Sequence, residues 1–413
     1  MFSKQLAFRV LAAMMVSTTA FAFQPFTGST TWQSANLLPD SDKAGEMHEL
    51  GREIADDLNS GGGKYTLQYK KPGGSSHQTL VIRVSDGAAV GLWSAPNHAT
   101  YIEGEIFAYN LARLFDRAEW VGAGMRMTLT GKGLATARKA NQPAETPKAR
   151  ACNKEHILTY MKANPHYITG LFKPFEPGKK PDSIPEIVDR VNQKRLNAKH
   201  FIVAMTSKNG PQPKNDEVFL SSAKSLSYKK MASGRADLGH AKDTDLAKQL
   251  SFMTLIDALN SQRDRFGPYG SNLEAMLDSK GGEMTIAAID NGGISDSANT
   301  SSLAYFLAST TRFERDVMEK VIELDSFVKG QSSSFLNFRS VAELKEAMGL
   351  ELELTQDDVM PKPSSSVCRS TYTQLYAAYG KRMGIRWNNF VKGLDLVAAH
   401  MKKLQHERGA TFD

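Results

Sequence analysis

Cysteine is scarce in this chain, with only Cys152 and Cys368 among 413 residues. So small a number gives no sign of a zinc-ribbon site. In an oxidising compartment the pair predicts one disulfide, which would join the middle of the chain to its C-terminal region. Two buried free thiols are the alternative.

Long hydrophobic runs are also missing. The apolar run Val10 to Phe23 is well short of the roughly 20 residues that a membrane-spanning helix needs. It follows a start containing Lys4 and Arg9 and closes with Ala20-Phe21-Ala22, which together have the parts of a signal peptide. We therefore expect residues 1–22 to be cleaved. The mature protein would be periplasmic or secreted (through a secretory lumen in a eukaryote), with no integral membrane segment.

Two common enzyme signatures are absent, namely a Walker phosphate-binding loop and a Gly-x-Ser-x-Gly elbow. The histidines do not fall at metal-ligand spacing. Without Lys4 and Arg9, 49 basic residues face 44 acidic ones, a net charge of +5. This modest excess suits anionic ligands such as nucleotide phosphates, and it does not point to nucleic acid as a partner.

The first part of the chain is rich in predicted strands. Residues 131–150 are basic, rich in Ala, Thr and Pro, and lack an apolar period, which predicts an exposed linker. The apolar patterns predict helices over 44–59 and 101–115 and strands over 65–69, 79–84, 88–93, 125–129, 168–175 and 200–205.

The second part is predicted to be mainly helical. Helices are expected over about 246–260, 301–328, 340–349 and 369–406, and a strand over 284–289. Separate β and α segments predict an α+β, two-lobed protein. After the signal peptide come an N-terminal arm and helix (23–60), a strand-rich N-lobe (61–205) and a helical C-lobe (206–413).

Three carboxylates occupy places that suit a phosphotransferase. Glu105 lies on the helix after three short strands, Asp264 directly follows an apolar helix, and Asp290 directly follows an apolar strand. Phosphoryl transfer needs a carboxylate to orient the attacking hydroxyl, oxygen ligands for Mn or Mg, and a cation on the phosphates. Asp264 fits the first role, Asn272 and Asp290 the second, and Glu105 would hold the cation.

Each residue alone has a simpler interpretation. Asp264 could form a surface ion pair, Asp290 could belong to a hairpin turn, and Glu105 could be a solvated helix residue. The prediction rests on their order and context together.

These motifs resemble those of the atypical kinases of the secretory pathway, the Golgi casein kinase and four-jointed family, which are distantly similar to phosphatidylinositol kinases. The family's Ala-Glu-Ile-Ala-Ala-Phe-x-Leu helix is similar to residues 104–111, Gly-Glu-Ile-Phe-Ala-Tyr-Asn-Leu. Its Gly-Asn-x-Asp-Arg loop is similar to residues 261–265, and its Ile-x-Leu-Asp-Asn-Gly strand end to residues 287–292. The resemblance implies a two-lobed protein-kinase-like fold that uses ATP. It also implies that Asp264 is the catalytic aspartate, Asp290 a metal ligand and Glu105 the helix carboxylate.

One departure concerns the cation. The family ends its third strand with Leu-Phe-Lys-Pro, whereas here Trp93 stands in that region without a lysine. Lys173, in Leu-Phe-Lys-Pro at 171–174, is a candidate replacement, and Lys70, Lys71 and Arg83 are weaker ones. The loop containing Gly73 and Gly74 either covers phosphates through its backbone amides or is a plain hairpin loop.

The sequence thus favours an exported, metal-dependent kinase-like phosphotransferase that acts on a protein or glycan hydroxyl. An inactive pseudokinase that serves as a scaffold is one alternative, because the usual strand lysine is missing. An unrelated exported glycan- or peptide-binding protein is the other.

Overall fold

The computed structural model describes residues 37–39, 41–69, 79–95, 102–141, 161–162, 165–175, 180–182, 243–260, 262, 273–277, 284–288, 291, 307, 310, 312–349, 382–407 and 411–412. The predicted signal peptide, the strand over 200–205 and both cysteines lie outside these residues. The described part is an α+β structure, as the sequence predicts.

A five-stranded antiparallel sheet forms the first part, with strand order β1-β2-β3-β5-β4. Alternating apolar residues predict each of these strands to within two residues at either end. Their bounds are β1 Tyr65–Tyr69, β2 Thr79–Arg83, β3 Ala89–Ser94, β4 Met125–Thr130 and β5 Tyr167–Pro174. Helix α2, Ile102–Leu114, lies between β3 and β4 in the chain.

One face of the sheet is covered by helix α1, Ser41–Ser60, and helix α3, Gly131–Ala140. Met125 and Phe172 lie against Gly51 of α1. Asn59 joins α1 to β4, because its Oδ1 accepts from the Thr130 amide at 2.7 Å and its Nδ2 donates to the Thr128 carbonyl at 3.2 Å. This face is therefore a packed core.

Helix α3 corrects the prediction that residues 131–150 form an exposed linker; residues 142–150 lie outside the described part. Gly133, Leu134 and Ala137 are buried on one side of α3. A Cβ at Gly133 would lie 2.4 Å from Asn59 Oδ1, so only glycine allows this close approach to α1. The packed side of α3 consists mostly of small residues, which gave too weak an apolar pattern to predict a helix.

The second part contains helices α4 Asp243–Asn260, α5 Arg315–Val328, α6 Val341–Ala347 and α7 Arg382–Leu404. The predicted helix over 301–328 is not continuous: Leu307 is helical, but a short strand, β9 Phe313–Glu314, follows before α5 begins at Arg315, and residues 301–306 lie outside the described part. Strands not predicted from the sequence are β6 Lys180–Asp182, β7 Leu273–Leu277 and β10 Thr411–Phe412. β6 and β7 form a three-stranded antiparallel sheet with the predicted strand β8, Met284–Ala288.

Helix α4 joins the two parts through its buried side chains. Phe252 makes edge-on ring contacts with Phe115, just beyond α2, and with Trp120. Phe107 of α2 packs edge-on against Phe390 of α7. Arg117 adds ion pairs to Glu314 and Asp316, each at 2.9 Å. The end of α2 is thereby held against the helical part.

Among the described residues, no helix is long and apolar enough to cross a membrane.

Candidate functional site

Glu105 is a buried carboxylate on helix α2, with only 2% of its side chain exposed. Phe107, Leu111 and Leu114 of the same helix are fully buried, so α2 is held firmly in the core. Gly124 leaves room for Glu105 at the start of β4, since a Cβ on Gly124 would come within 3.3 Å of Glu105 Cβ. A charge at such a depth needs partners, because burial without them is strongly unfavourable.

Lys173 on strand β5 is the first partner. Its Nζ lies 2.5 Å from Glu105 Oε1, and 18% of its side chain is exposed. Lys173 is directly opposite Leu92 in the β3–β5 ladder, so the two side chains share one face of the sheet. Of the two candidate cations that the structure describes, Lys173 and Arg83, Lys173 is therefore the one that pairs with the helix carboxylate.

Asn291 is the second partner of Glu105. Its side-chain Nδ2 donates to Glu105 Oε2 and to the Ala288 carbonyl, each at 3.2 Å. Its own carbonyl accepts from Asn260 Nδ2 at 3.0 Å. Asn291 and Asn260 are 0% and 3% exposed, and sequence reasoning missed both as site residues. Their position offered a signal, because Asn291 directly follows Asp290 and Asn260 precedes Asp264 by four residues.

The end of strand β8 is fixed beside the chain that leaves α2. Val121 forms a parallel bridge with Ala288, and the Gly122 amide donates to the Ala288 carbonyl at 2.8 Å. Glu105, the strand end before Asp290 and the helix end before Asp264 therefore meet in one place.

The other predicted site residues lie outside the described part of the chain. These are Gly73, Gly74, Asp264, Asn272 and Asp290, together with the weaker candidates Lys70 and Lys71. Within the described part, no group of three or more His, Cys, Asp or Glu side chains could hold a metal ion. The predicted metal ligands Asn272 and Asp290 thus remain a prediction.

Trp93 and Arg83 have other roles. Trp93 is fully buried opposite Phe172, and its indole Nε1 donates to the Met127 carbonyl at 3.3 Å. Arg83 forms an exposed ion pair with Asp86 at 2.6 Å in the turn after β2. The hydrogen bonds from Arg83 lower the pKa of Asp86. Arg83 therefore stabilises the turn after β2.

The arrangement presents a lysine ammonium that is oriented from behind by a buried carboxylate. Leu80 and Leu92 lie on the same face of the sheet as Lys173, and all three are partly exposed. A fixed cation beside an apolar surface suits a ligand with an anionic group and an apolar ring. No protein-family model and no curated protein matches this chain.

Proposed function

We propose that this chain is an exported, metal-dependent phosphotransferase of kinase-like architecture, which moves the γ-phosphate of ATP to a protein or glycan hydroxyl. The five-stranded sheet and α2 would belong to the N-lobe, and the helical part would form the C-lobe. ATP would bind between them. The observation that carries the proposal is the Lys173–Glu105 ion pair, with Asn291 from the Asp290 strand end on the other carboxylate oxygen.

The ion pair supplies the cation that phosphoryl transfer requires. Held by Glu105, the Lys173 ammonium keeps a fixed position as a point charge for phosphate oxygens. Its partial exposure gives a ligand access to it. The ring of the nucleotide would lie on Leu80 and Leu92, on the same face of the sheet.

The remaining roles fall on the residues next to this cluster. Asp264 would orient the acceptor hydroxyl and take up its proton. Asn272 and Asp290 offer the amide and carboxylate oxygens that Mn or Mg prefers, and the bound ion would neutralise phosphate charge. The loop with Gly73 and Gly74 would cover the phosphates with its backbone amides.

The test is turnover of ATP by residues 23–413 with Mn or Mg, followed as phosphate release and as incorporation of the γ-phosphate. We expect Asp264→Ala and Lys173→Met to lower turnover by about a hundredfold or more. Arg83→Ala is the matched control, since it removes a strand-end cation outside the cluster, and it should retain full turnover. Unchanged turnover in Asp264→Ala would refute the catalytic assignment.

A thermal shift with ATP and Mn separates the two alternatives. A wild-type protein that is stabilised by nucleotide without turning it over would be a pseudokinase. A protein that shows neither effect would favour an unrelated binding function. The Lys173–Glu105 ion pair favours the active phosphotransferase over the pseudokinase, because it offers a cation that the strand of Trp93 lacks.

A further inference from the structure

We propose that Asn291 is a positioning residue that ties the phosphate-binding lysine to the metal-binding and catalytic segments. This role rests on the phosphotransferase function proposed above. Asn291 acts through other groups: its side chain orients Glu105, and its backbone is held by the helix end that precedes Asp264.

The side chain of Asn291 is suited to this task by its two N–H donors. One is directed at Glu105 Oε2 and the other at the Ala288 carbonyl, both at 3.2 Å. Glu105 Oε1 accepts from Lys173, so both carboxylate oxygens have a donor. An aspartate at 291 would offer no donor and would add a second negative charge, whereas a serine would offer only one donor.

The backbone of Asn291 connects the cluster to the proposed catalytic loop. Its carbonyl accepts from Asn260, the last residue of α4. Asp290 is bonded to Asn291 through the peptide link, and Asp264 follows Asn260 by four residues. A displacement of Asn291 would therefore disturb the lysine, the proposed metal ligand and the start of the catalytic loop together.

The experiment compares Asn291→Ala with Asn141→Ala in residues 23–413. Asn141 is a matched control because it is also a buried asparagine, and its Nδ2 donates to the Ala137 carbonyl at 2.7 Å, at the end of α3. Two readouts are taken. The first is kcat and KM for ATP with Mn, and the second is trace labelling of the Lys173 amine relative to the exposed Lys162 in the same digest.

We expect Asn291→Ala to lower kcat by about tenfold to a hundredfold, the range for a lost buried hydrogen bond to a charged group. KM should change less, and labelling of Lys173 should rise. Asn141→Ala should leave all of these values at the wild-type level. The proposal is overturned if Asn291→Ala keeps wild-type kcat and labelling, or if Asn141→Ala lowers kcat equally.

A second set of variants separates this proposal from the phosphotransferase function. Asn291→Asp should destabilise the protein by placing two carboxylates together, and adding Glu105→Gln should recover much of the loss. The expected departure from additivity is about tenfold in the unfolding equilibrium constant. If the wild type does not turn over ATP, the phosphotransferase proposal fails. Additive effects of Asn291→Asp and Glu105→Gln on stability would then overturn the positioning role of Asn291 as well.

Discussion

The two faces of the five-stranded sheet differ in how far their side chains are exposed. The face that carries Trp93, Phe172 and Met125 is covered by α1 and α3 and has little exposure. The opposite face carries Leu80, Leu92 and Lys173, which are all partly exposed. Alternate residues of the same strands supply both faces.

The difference explains why the lysine is found on β5. Trp93 points into the covered face, where a lysine would be buried among apolar side chains without a partner. Lys173 lies on the other face, where its ammonium donates a hydrogen bond to Glu105 of α2. The strand that carries the cation therefore matters less than the face from which it projects.

Truncating Trp93 should give the largest effect. Trp93→Ala removes a fully buried indole from the covered face and should lower the free energy of unfolding by about 4 kcal/mol. Leu92→Ala, one residue away on the other face, should cost clearly less because Leu92 is already partly exposed. Urea denaturation of both variants gives the comparison. Equal losses would contradict the assignment of the two faces.

Moving the lysine should have the next largest effect. Lys173→Met leaves Glu105 buried without its cation and should cost about 3 kcal/mol of unfolding free energy. Leu92→Lys in the same protein should recover part of this loss, since residues 92 and 173 are cross-strand neighbours. Trp93→Lys in the Lys173→Met background should recover none. Recovery from position 93 would show that either face can supply the cation.

The smallest effect concerns His48, on the helix that covers the sheet. Burial, followed by the nearby charge of Arg113, lowers the pKa of His48 from 6.5 to about 4. Between these values the unfolded chain binds a proton that the folded protein does not, so stability is full above pH 6.5 and falls as the pH approaches 4. At pH 5 the loss should be about 2 kcal/mol.

Urea denaturation at pH 7 and pH 5 measures this loss. His48→Gln should reduce the difference between the two pH values by about 2 kcal/mol. His166→Gln, at an exposed position, is the control and should behave as the wild type does. A pH dependence that is unchanged in His48→Gln would place the titrating group elsewhere.

Local patterns predicted the elements whose buried residues are large. Leu67, Val81 and Trp93 mark their strands, and Phe107 and Leu111 mark α2. Helix α3 was missed because its packed side relies on Gly133 and Ala137. Strand β7 has the sequence Leu-Glu-Ala-Met-Leu, which contains good helix formers, and its pairing with β8 outweighs that propensity.

The candidate site was predictable only in part, for a related reason. A carboxylate after three strands suggested Glu105, and the need for a cation placed Lys173 among several choices. The register of β3 with β5 places Lys173 opposite Leu92, and the contact of its ammonium with Glu105 is visible only in the folded structure. The contact between Asn291 and Glu105 joins residues 186 positions apart, and so distant a pair leaves no periodic pattern in the chain.

The long separation of these partners has a consequence for how the protein is made. During synthesis Glu105 leaves the ribosome first. Lys173 follows 68 positions later, and Asn291 follows 186 positions after Glu105. Water must solvate the carboxylate during that interval, and closing so long a loop costs chain entropy. A nascent chain that stops short of Asn291 would lack one of the two donors to Glu105, so the cluster can be completed only late in synthesis.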